Sequence, residues 1–559
     1  FMSSQSAILW MSVLFFMATL FYWGGLLSRR AGDSFELLGS RITWVAVTLA
    51  LVGTMVRWYE GYLIGPDVGH IPVSNLYEVF VLFCWMTAAY YLYYEDRYAT
   101  RGMGAFATRV TVMTGAAIAI AATRRGFIRA TGSVGLAASV GLPRPGGAQA
   151  RRKTLKIMQW NHFVPAFDEW FNRTFIKEWG ARNDTEVLVT NVGMTSIESR
   201  AAAEIERGQG HDICMFLSPP ASYEDHVIDH KDIYVECERR FGKPLEIAVK
   251  STYNPVTKKY FGFSDSYVPD PVNYRKDLWD EVGIVPSSWD AIREGGRKIK
   301  QTRAIPVGIG MSKELDSSMA LRSILLAFGA SEQNAQGRPS LKSKATLEAL
   351  KYAKALYQDT MTDEIFSWDA SSNNRLMLAG KGSLTLNAIS VTRTGENEKM
   401  AIADRIHLLP PARGQQASVG VMHLMNAYVI WKFSKNIEGA KKFLVDLTAE
   451  SREAFRASQF YNSPTYPQLV KDLNVLIAND PKAQPSNKYQ IFANASQWTV
   501  SVGYPGYANA AIDEIFNRWL IPDMFADVAS GKLSAEASME MYAGEVDRVF
   551  DKWRSRGKV

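Results

Sequence analysis

Cysteine is almost missing from this chain: three residues in 559, Cys84, Cys214 and Cys237, with no CxxC pair. So few thiols in so long a chain exclude a disulfide scaffold. Cys214 lies in an apolar run and reads as a buried thiol, and a Cys214–Cys237 bridge would need an oxidising compartment. Charge is also sparse, 21% of residues against 47% hydrophobic, which leaves little room for long disordered tails. The net charge is +7, but the arginines concentrate before about residue 155, where membrane flanks and signal peptides use them. The basic balance therefore does not point to nucleic acid. Catalytic signatures are lacking too: there is no GxSxG, HExxH or GxxxxGK[ST], and GIGMSK at Gly308 and GKGS at Gly380 read as strand–loop turns. No motif isolates the paired carboxylates of a glycosidase. No enzyme, cofactor or catalytic metal is expected. His226 and His230 in DHVIDH have an i, i+4 spacing, but the flanking aspartates favour an exposed acidic turn over a metal site.

What is present divides into parts, as a chain of 559 residues requires. Residues 7–27 (AILWMSVLFFMATLFYWGGLL) are uncharged and long enough to cross a hydrocarbon core of roughly 30 Å. Residues 42–56 sit between Arg41 and Arg57, and residues 76–94, apart from Glu78, end in the aromatic run YYLYY. An all-α transmembrane segment of about three helices is expected. Arg29, Arg30 and Arg41 follow the first segment and Arg97, Arg101 and Arg109 follow the third, whereas the second loop carries only Arg57. The N-terminus should lie outside and the chain should be cytoplasmic after the third crossing.

The second loop and its continuation read GHIPVSNLYE, from Gly69 to Glu78. At these residues the first 110 or so resemble cytochrome c biogenesis proteins of the CcsA/CcsB/ResC type. The tryptophan-rich motif and later histidine-bearing helices of that family do not appear. His70 is either a loop histidine near the interface or a surviving haem contact.

Residues 122–150, ATRRGFIRATGSVGLAASVGLPRPGGAQA, carry Arg124, Arg125 and Phe127 of a twin-arginine export motif, a mildly apolar stretch, and a small-x-small cleavage site at Ala148 and Ala150. The arginines fall on the cytoplasmic side predicted above, so everything after Ala150 should be delivered outside. The order reads as two proteins joined near residues 110–122. Periplasmic or extracytoplasmic localisation follows, with membrane anchoring through the N-terminal helices if the signal is not cleaved.

From Arg151 the pattern changes to alternating elements. TLKIMQW, EVLVTNV and DICMFL are strand-like, separated by helical spacing of Phe167, Trp170, Phe171 and Trp179 and by a second helix over residues 196–207. This is βαβαβ, a mostly parallel sheet that binds ligands beyond the carboxyl ends of its strands. Trp160, Asn161 and His162 stand there, followed by Met194, Thr195, Ser218 and Pro219. An aromatic ring beside amides and hydroxyls suits a small polar ligand such as a sugar, while Trp160 read by itself also fits a core tryptophan closing the sheet.

Several landmarks then occur in order: HDICMF, the run from Tyr260 to Asp290 (YFGFSDSYVPDPVNYRKDLWDEVGIVPSSWD), GKGSLTLNAIS, the run from Val419 to Phe455, and PGYANAAIDEI. In this order residues 153–559 resemble the extracellular solute-binding proteins, family 1, of ABC importers, the maltose-binding-protein-like group. The resemblance implies a type II periplasmic-binding-protein fold, α/β and two-lobed, with crossings near 264–267 and 419–428. Lobe 1 would comprise about 153–265 and 428–488, lobe 2 about 266–426 and 489–559. It also implies capture of a small polar solute by hinge closure and delivery to ABC permease subunits. Asp265 and Tyr267 at the first crossing, Asn387 after the GSLTLN strand and His423 in the second crossing are the candidate contacts. Trp498, Tyr504 and Tyr507 are candidate stacking faces, and Asp212 is either a structural residue or a ligand partner. A polyamine would call for more carboxylates than Asp265 and Asp212 supply. The competing reading is a membrane cytochrome c biogenesis protein with an appended periplasmic sensor domain.

Overall fold

The computed structural model describes residues 4–27, 32–64, 76–98 and 153–559. The export motif, with Arg124, Arg125, Phe127, Ala148 and Ala150, and His70 lie outside the described residues. The chain divides into two units, Phe1–Gly147 and Ala148–Val559.

Among the described residues the first unit contains three helices, α1 (Ser4–Leu27), α2 (Gly32–Ile64) and α3 (Leu76–Tyr98). Hydropathy marks only part of α2, because the helix continues through Arg41 and Arg57, which are good helix formers. Among the described residues one stretch, Ser34–Val56, is long and apolar enough to cross a bilayer, and Val13–Trp23 is a shorter apolar run. Small residues bring the helices together: a Cβ at Gly39 would lie 3.0 Å from the Tyr22 ring, and Ala46, Ala50 and Ala88 are buried. Apolar side chains occupy the interior of the bundle, where Met11, Phe15, Val47 and Leu92 are buried, and its outside as well. Tyr22 donates to Glu95 inside the bundle at 2.7 Å, whereas Trp10, Phe16, Leu20, Trp44, Tyr90 and Tyr93 point outward. Outward apolar rings and inward polar groups are the arrangement hydrocarbon favours.

The second unit is built on two main sheets. Its strands are β1 (Lys153–Trp160), β2 (Thr185–Val192), β3 (Ile213–Phe216), β4 (Tyr253–Asn254), β5 (Lys259–Tyr260), β6 (Phe263–Val268), β7 (Val272–Arg275), β8 (Leu384–Leu386), β9 (Ile406–Leu409), β10 (Gly420–Val421), β11 (Leu424–Ile430), β12 (Ser463–Pro464) and β13 (Thr499–Val500). The larger sheet runs β12-β6-β11-β3-β1-β2 and the smaller β8-β7-β9. β1 is parallel to β2 and β3, as the βαβαβ pattern requires, and β11 enters antiparallel between β3 and β6. All four residues of β3 are buried, as in the centre of a covered parallel sheet. Cys214 on β3 and Cys237 are both buried and both free thiols, so the two do not form a bridge.

The chain changes sheets between β6 and β7 and returns between β10 and β11. The first change comes later than the 264–267 read from the sequence, since β6 pairs through Val268 with Leu424. Pro269 and Pro271 flank Asp270 and have no N–H to extend the ladder, so the strand ends there. For the same reason Leu424–Asn426 belong to the larger sheet, although the sequence boundary put them in lobe 2. The C-terminal helices also touch elements beside the larger sheet: Asp513 accepts from the Ser222 N–H at 2.8 Å, and Lys558 pairs with Glu224 at 3.2 Å.

One helix, Trp289–Arg303, shows how closely the elements pack. Its Gly295 sits on the buried Trp279 ring, whose indole N–H is fixed by the Ser383 carbonyl at 3.0 Å. Alanine there gains about 1 kcal/mol in helix propensity, but its methyl would lie 2.3 Å from the ring. Gly295→Ala is expected to destabilise by about 1–3 kcal/mol in urea unfolding, as overpacked cores do; an unchanged midpoint would mean that the ring moves aside.

Candidate functional site

The carboxyl end of β1 delivers an aromatic group. Trp160 is buried, its ring centroid 5.0 Å from His162, 5.3 Å from Phe163 and 6.4 Å from Tyr461. Asn161 is exposed and its N–H closes onto the Val192 carbonyl at 2.9 Å. His162 Nδ1 accepts from the Val164 N–H at 2.9 Å, so the ring proton sits on Nε2 and is donated to Asn462 Oδ1 at 3.1 Å. Burial pulls the His162 pKa down to about 4, and the ring is neutral at physiological pH.

The two sheet changes meet at a second group. His423, between β10 and β11, is wholly buried and donates from Nδ1 to Asp270 Oδ1 at 3.0 Å, which ties one crossing to the other. On its far side Nε2 lies 3.5 Å from Asp316 Oδ1, without hydrogen-bond geometry. Asp316 is the second residue of the helix Leu315–Ala327, whose N-cap, Glu314, accepts from the Asp316 N–H at 2.7 Å and the Ser317 N–H at 2.5 Å. Burial works to lower the His423 pKa, but Asp316 and Asp270 outweigh it and hold the imidazole above its ordinary value. Burial raises Asp270, Asp316 and Glu314. Tyr461 joins the two groups, its ring 5.0 Å from His162 and 6.5 Å from His423. Its hydroxyl, His423 Nε2 and Asp316 Oδ1 are buried without a hydrogen-bond partner.

Other expected residues join this region to differing degrees. Asn387 donates to Asn374, the neighbour of Asn373, and Asn373 donates to Asp316 Oδ2, so Asn387 reaches the histidine group through two amides. Asp265 and Tyr267 lie on β6, both buried. Ser266 donates to Asp265 at 2.8 Å and accepts from Asn426 at 2.8 Å. Trp498 is buried with an unpartnered indole N–H and precedes β13, which pairs with β10 just before His423.

Three residues stand apart. Asp212 is at the opposite end of β3, where its carboxylate accepts from the Lys156 N–H (2.8 Å), Ser434 Oγ (2.6 Å) and the Lys435 N–H (3.0 Å). This is structural pinning at the end where parallel sheets do not bind ligands. Tyr504 stands in a small recess with Arg322, Glu332 and Ser501, and Tyr507 packs on Tyr253 at 6.1 Å. The histidine pair also differs from expectation. His226 is exposed, but His230 is fully buried: Nδ1 donates to the Tyr260 carbonyl at 3.0 Å and Nε2 accepts from the Ile430 N–H at 2.9 Å. Neither His230 nitrogen is left for a metal.

Sequence reasoning missed Asp270, Asp316 and Tyr461. Asp270 had a usable signal, an acidic residue between two prolines at a strand end. Asp316 and Tyr461 had none, since neither sits in a recognisable motif.

Asp265 offers a direct test of the local electrostatics. Burial pushes its pKa up to about 6, against roughly 4 in an unfolded chain. A pKa raised by folding contributes stability that is complete below the unfolded value and is lost as pH rises through the folded one. Asp265→Asn should therefore melt higher than the wild type at pH 8, by on the order of 1–2 kcal/mol, and match it at pH 4. A pH-independent difference would assign the effect to packing.

A binding protein of Brucella abortus (strain 2308) is 25% identical over 175 residues, 31% of this chain and 42% of that protein, so the chain spans less than half of the curated relatives it matches. The cytochrome c biogenesis protein CcsA of Cycas taitungensis is 33% identical over 100 residues, 18% of this chain and 28% of that protein. Among solved structures, an ABC transporter solute-binding protein of Thermotoga lettingae with bound α-D-tagatose superposes with a TM-score of 0.59 at 17% identity, covering 71% of this chain and 99% of that one. A sugar transporter protein of Arthrobacter chlorophenolicus with bound laminaribiose gives 0.59 at 14% identity, covering 71% and 99%. The two-lobed fold is shared with both. The model of the bacterial extracellular solute-binding protein family matches residues 165–451, more than half of the chain, and the chain belongs to that family.

Proposed function

We propose that residues 151–559 capture a small polar solute, a carbohydrate or polyol, outside the cytoplasm and hand it to the permease of an ABC importer. One lobe gathers around the larger sheet and the other around the smaller, and the solute sits where the chain passes between them. The observation that carries this reading is the joining of both sheet changes at Asp270 and His423, beside buried polar atoms that have no partner. A hinge formed by two short crossings lets the halves close on a guest. Trp160, His162, Tyr267, Asn387 and His423 are the contacts on this reading; Asn161, Asp265 and Trp498 border the same region, while Asp212, Tyr504 and Tyr507 contribute little. The sugars bound in the Thermotoga and Arthrobacter proteins support the solute class. No catalysis is proposed.

The first unit we read as the membrane part, its outward aromatic and aliphatic side chains facing lipid. The match to CcsA supports a second reading, a haem-handling membrane protein with this binding domain appended.

Two measurements test the proposal. The melting temperature should rise with a neutral sugar or polyol, because a ligand at a hundredfold its Kd adds about 2.7 kcal/mol of stability; stabilisation solely by amino acids or cationic solutes would reverse the solute class. Cell fractionation should release a soluble periplasmic fragment beginning at Arg151, whereas an uncut membrane protein that co-purifies with haem would favour the second reading.

A further inference from the structure

The unpartnered atoms at the crossings differ in kind. Tyr461 and His423 are wholly buried and Asp316 is 6% exposed, yet the Tyr461 hydroxyl, His423 Nε2 and Asp316 Oδ1 make no hydrogen bond. His423 Nε2 and Asp316 Oδ1 face each other only as a long ion pair at 3.5 Å; leaving buried groups without a hydrogen bond costs roughly 1–3 kcal/mol each, so their persistence together points to a guest that completes them. Their proton positions follow from their neighbours. His423 Nδ1–H is donated to Asp270 at 3.0 Å, and a bare lone pair on Nε2 would face the Asp316 carboxylate 3.5 Å away. Asp316 and Asp270 thus favour a proton on Nε2. Asp316 uses Oδ2 to accept from Asn373, which leaves Oδ1 as a free acceptor. The Tyr461 hydroxyl lies in the field of Asp316 and Asp270, which together with burial holds its proton in place.

We propose that Tyr461, His423 and Asp316 form a subsite that reads a hydroxyl group of a neutral polyhydroxylated solute. This rests on the solute-binding reading above and assigns specificity to residues outside the motifs. The set contains two donors and one acceptor, and a hydroxyl both accepts and donates, so it satisfies His423 or Tyr461 and Asp316 at once. An ammonium group has no lone pair for the His423 N–H and would set a cation against the imidazolium. A carboxylate would lie against Asp316 and Asp270. The subsite thus excludes both charged classes by leaving a buried group unpaired or like charges opposed.

The test is calorimetry on the purified full chain with tagatose, ribitol, laminaribiose, putrescine and glutamate as probes. At least one neutral probe should bind, and Tyr461→Phe should weaken it by roughly 5- to 20-fold. The same variant should melt, unliganded, no lower than the wild type, because it removes a buried hydroxyl that has no partner; a structural hydroxyl would lower the melting point. Asp316→Asn should weaken the neutral probe at least as much as Tyr461→Phe. Wild-type affinity in both variants would overturn the subsite and leave solute binding standing. Binding of putrescine or glutamate alone would overturn the hydroxyl chemistry. A chain that binds none of the five would remove the solute-binding reading and the subsite with it.

Discussion

The hydrogen bond from His423 to Asp270 joins the two places where the chain passes between sheets, and much of the second unit is arranged around it. Asp270 is held by prolines that end β6, and His423 is held by its N–H, which donates to the Val268 carbonyl at 2.7 Å. The bond thus spans two strand ends whose backbone positions are already set. A buried ion pair of this kind contributes little net stability, since desolvation offsets the attraction. Its effect is positional: removing either partner leaves an uncompensated charge, so the two crossings keep one relative geometry.

Charge at this point is mixed in sign. Asp270, Asp316 and Glu314 add three buried carboxyl groups to Asp265, the one expected aspartate that remains once Asp212 is recognised as a structural residue. By count alone that would favour a cationic guest. His423, set between Asp270 and Asp316 and held toward its charged form by them, changes the balance, because it occupies the place an ammonium group would take. His162 and His230 behave in the opposite way to His423, both pulled to about 4 by burial among backbone donors and acceptors. Three buried histidines therefore serve two ends: His162 and His230 are neutral fixtures, and His423 is the one whose neighbours favour its charged form.

The parts of this fold legible in the sequence are those with a period. β1, β2 and β3 follow from apolar runs separated by helical spacing, and their parallel pairing follows from the connections. Trp160 and His162 could be placed at the carboxyl end of β1 because strand ends are predictable in such sheets, and His423 beside β11 because the landmark order located the second crossing. Tertiary context decided the rest. The helix Leu315–Ala327 is buried along its whole length, so its polar residues carry no amphipathic signal, and Asp316 could not be told from a surface residue. His230 looked exposed beside Asp225 and Asp229, yet the strand β11 folds over it and supplies the Ile430 N–H. Local composition does not reveal a partner two hundred residues away.

The position of Tyr461 depends on strain held elsewhere. Gln459 and Phe460, immediately before it, have φ of 52° and 72°, two successive non-glycine residues in the left-handed region. Each costs on the order of 1 kcal/mol, and such a pair persists only where its surroundings fix it. The fixing comes from the helix Ser390–Asn397, which follows Asn387: Arg393 donates to the Gln459 carbonyl at 2.9 Å and Asn397 to its side chain at 2.9 Å. The Arg393 guanidinium also lies 5.1 Å over the Phe460 ring and pairs with Glu396 and Asp480. The loop that presents Tyr461 is thus gripped by the helix that follows Asn387. A shift of that helix would release the strain and move the tyrosine, so the aromatic face and the hydroxyl of Tyr461 are set by contacts that lie outside its own loop.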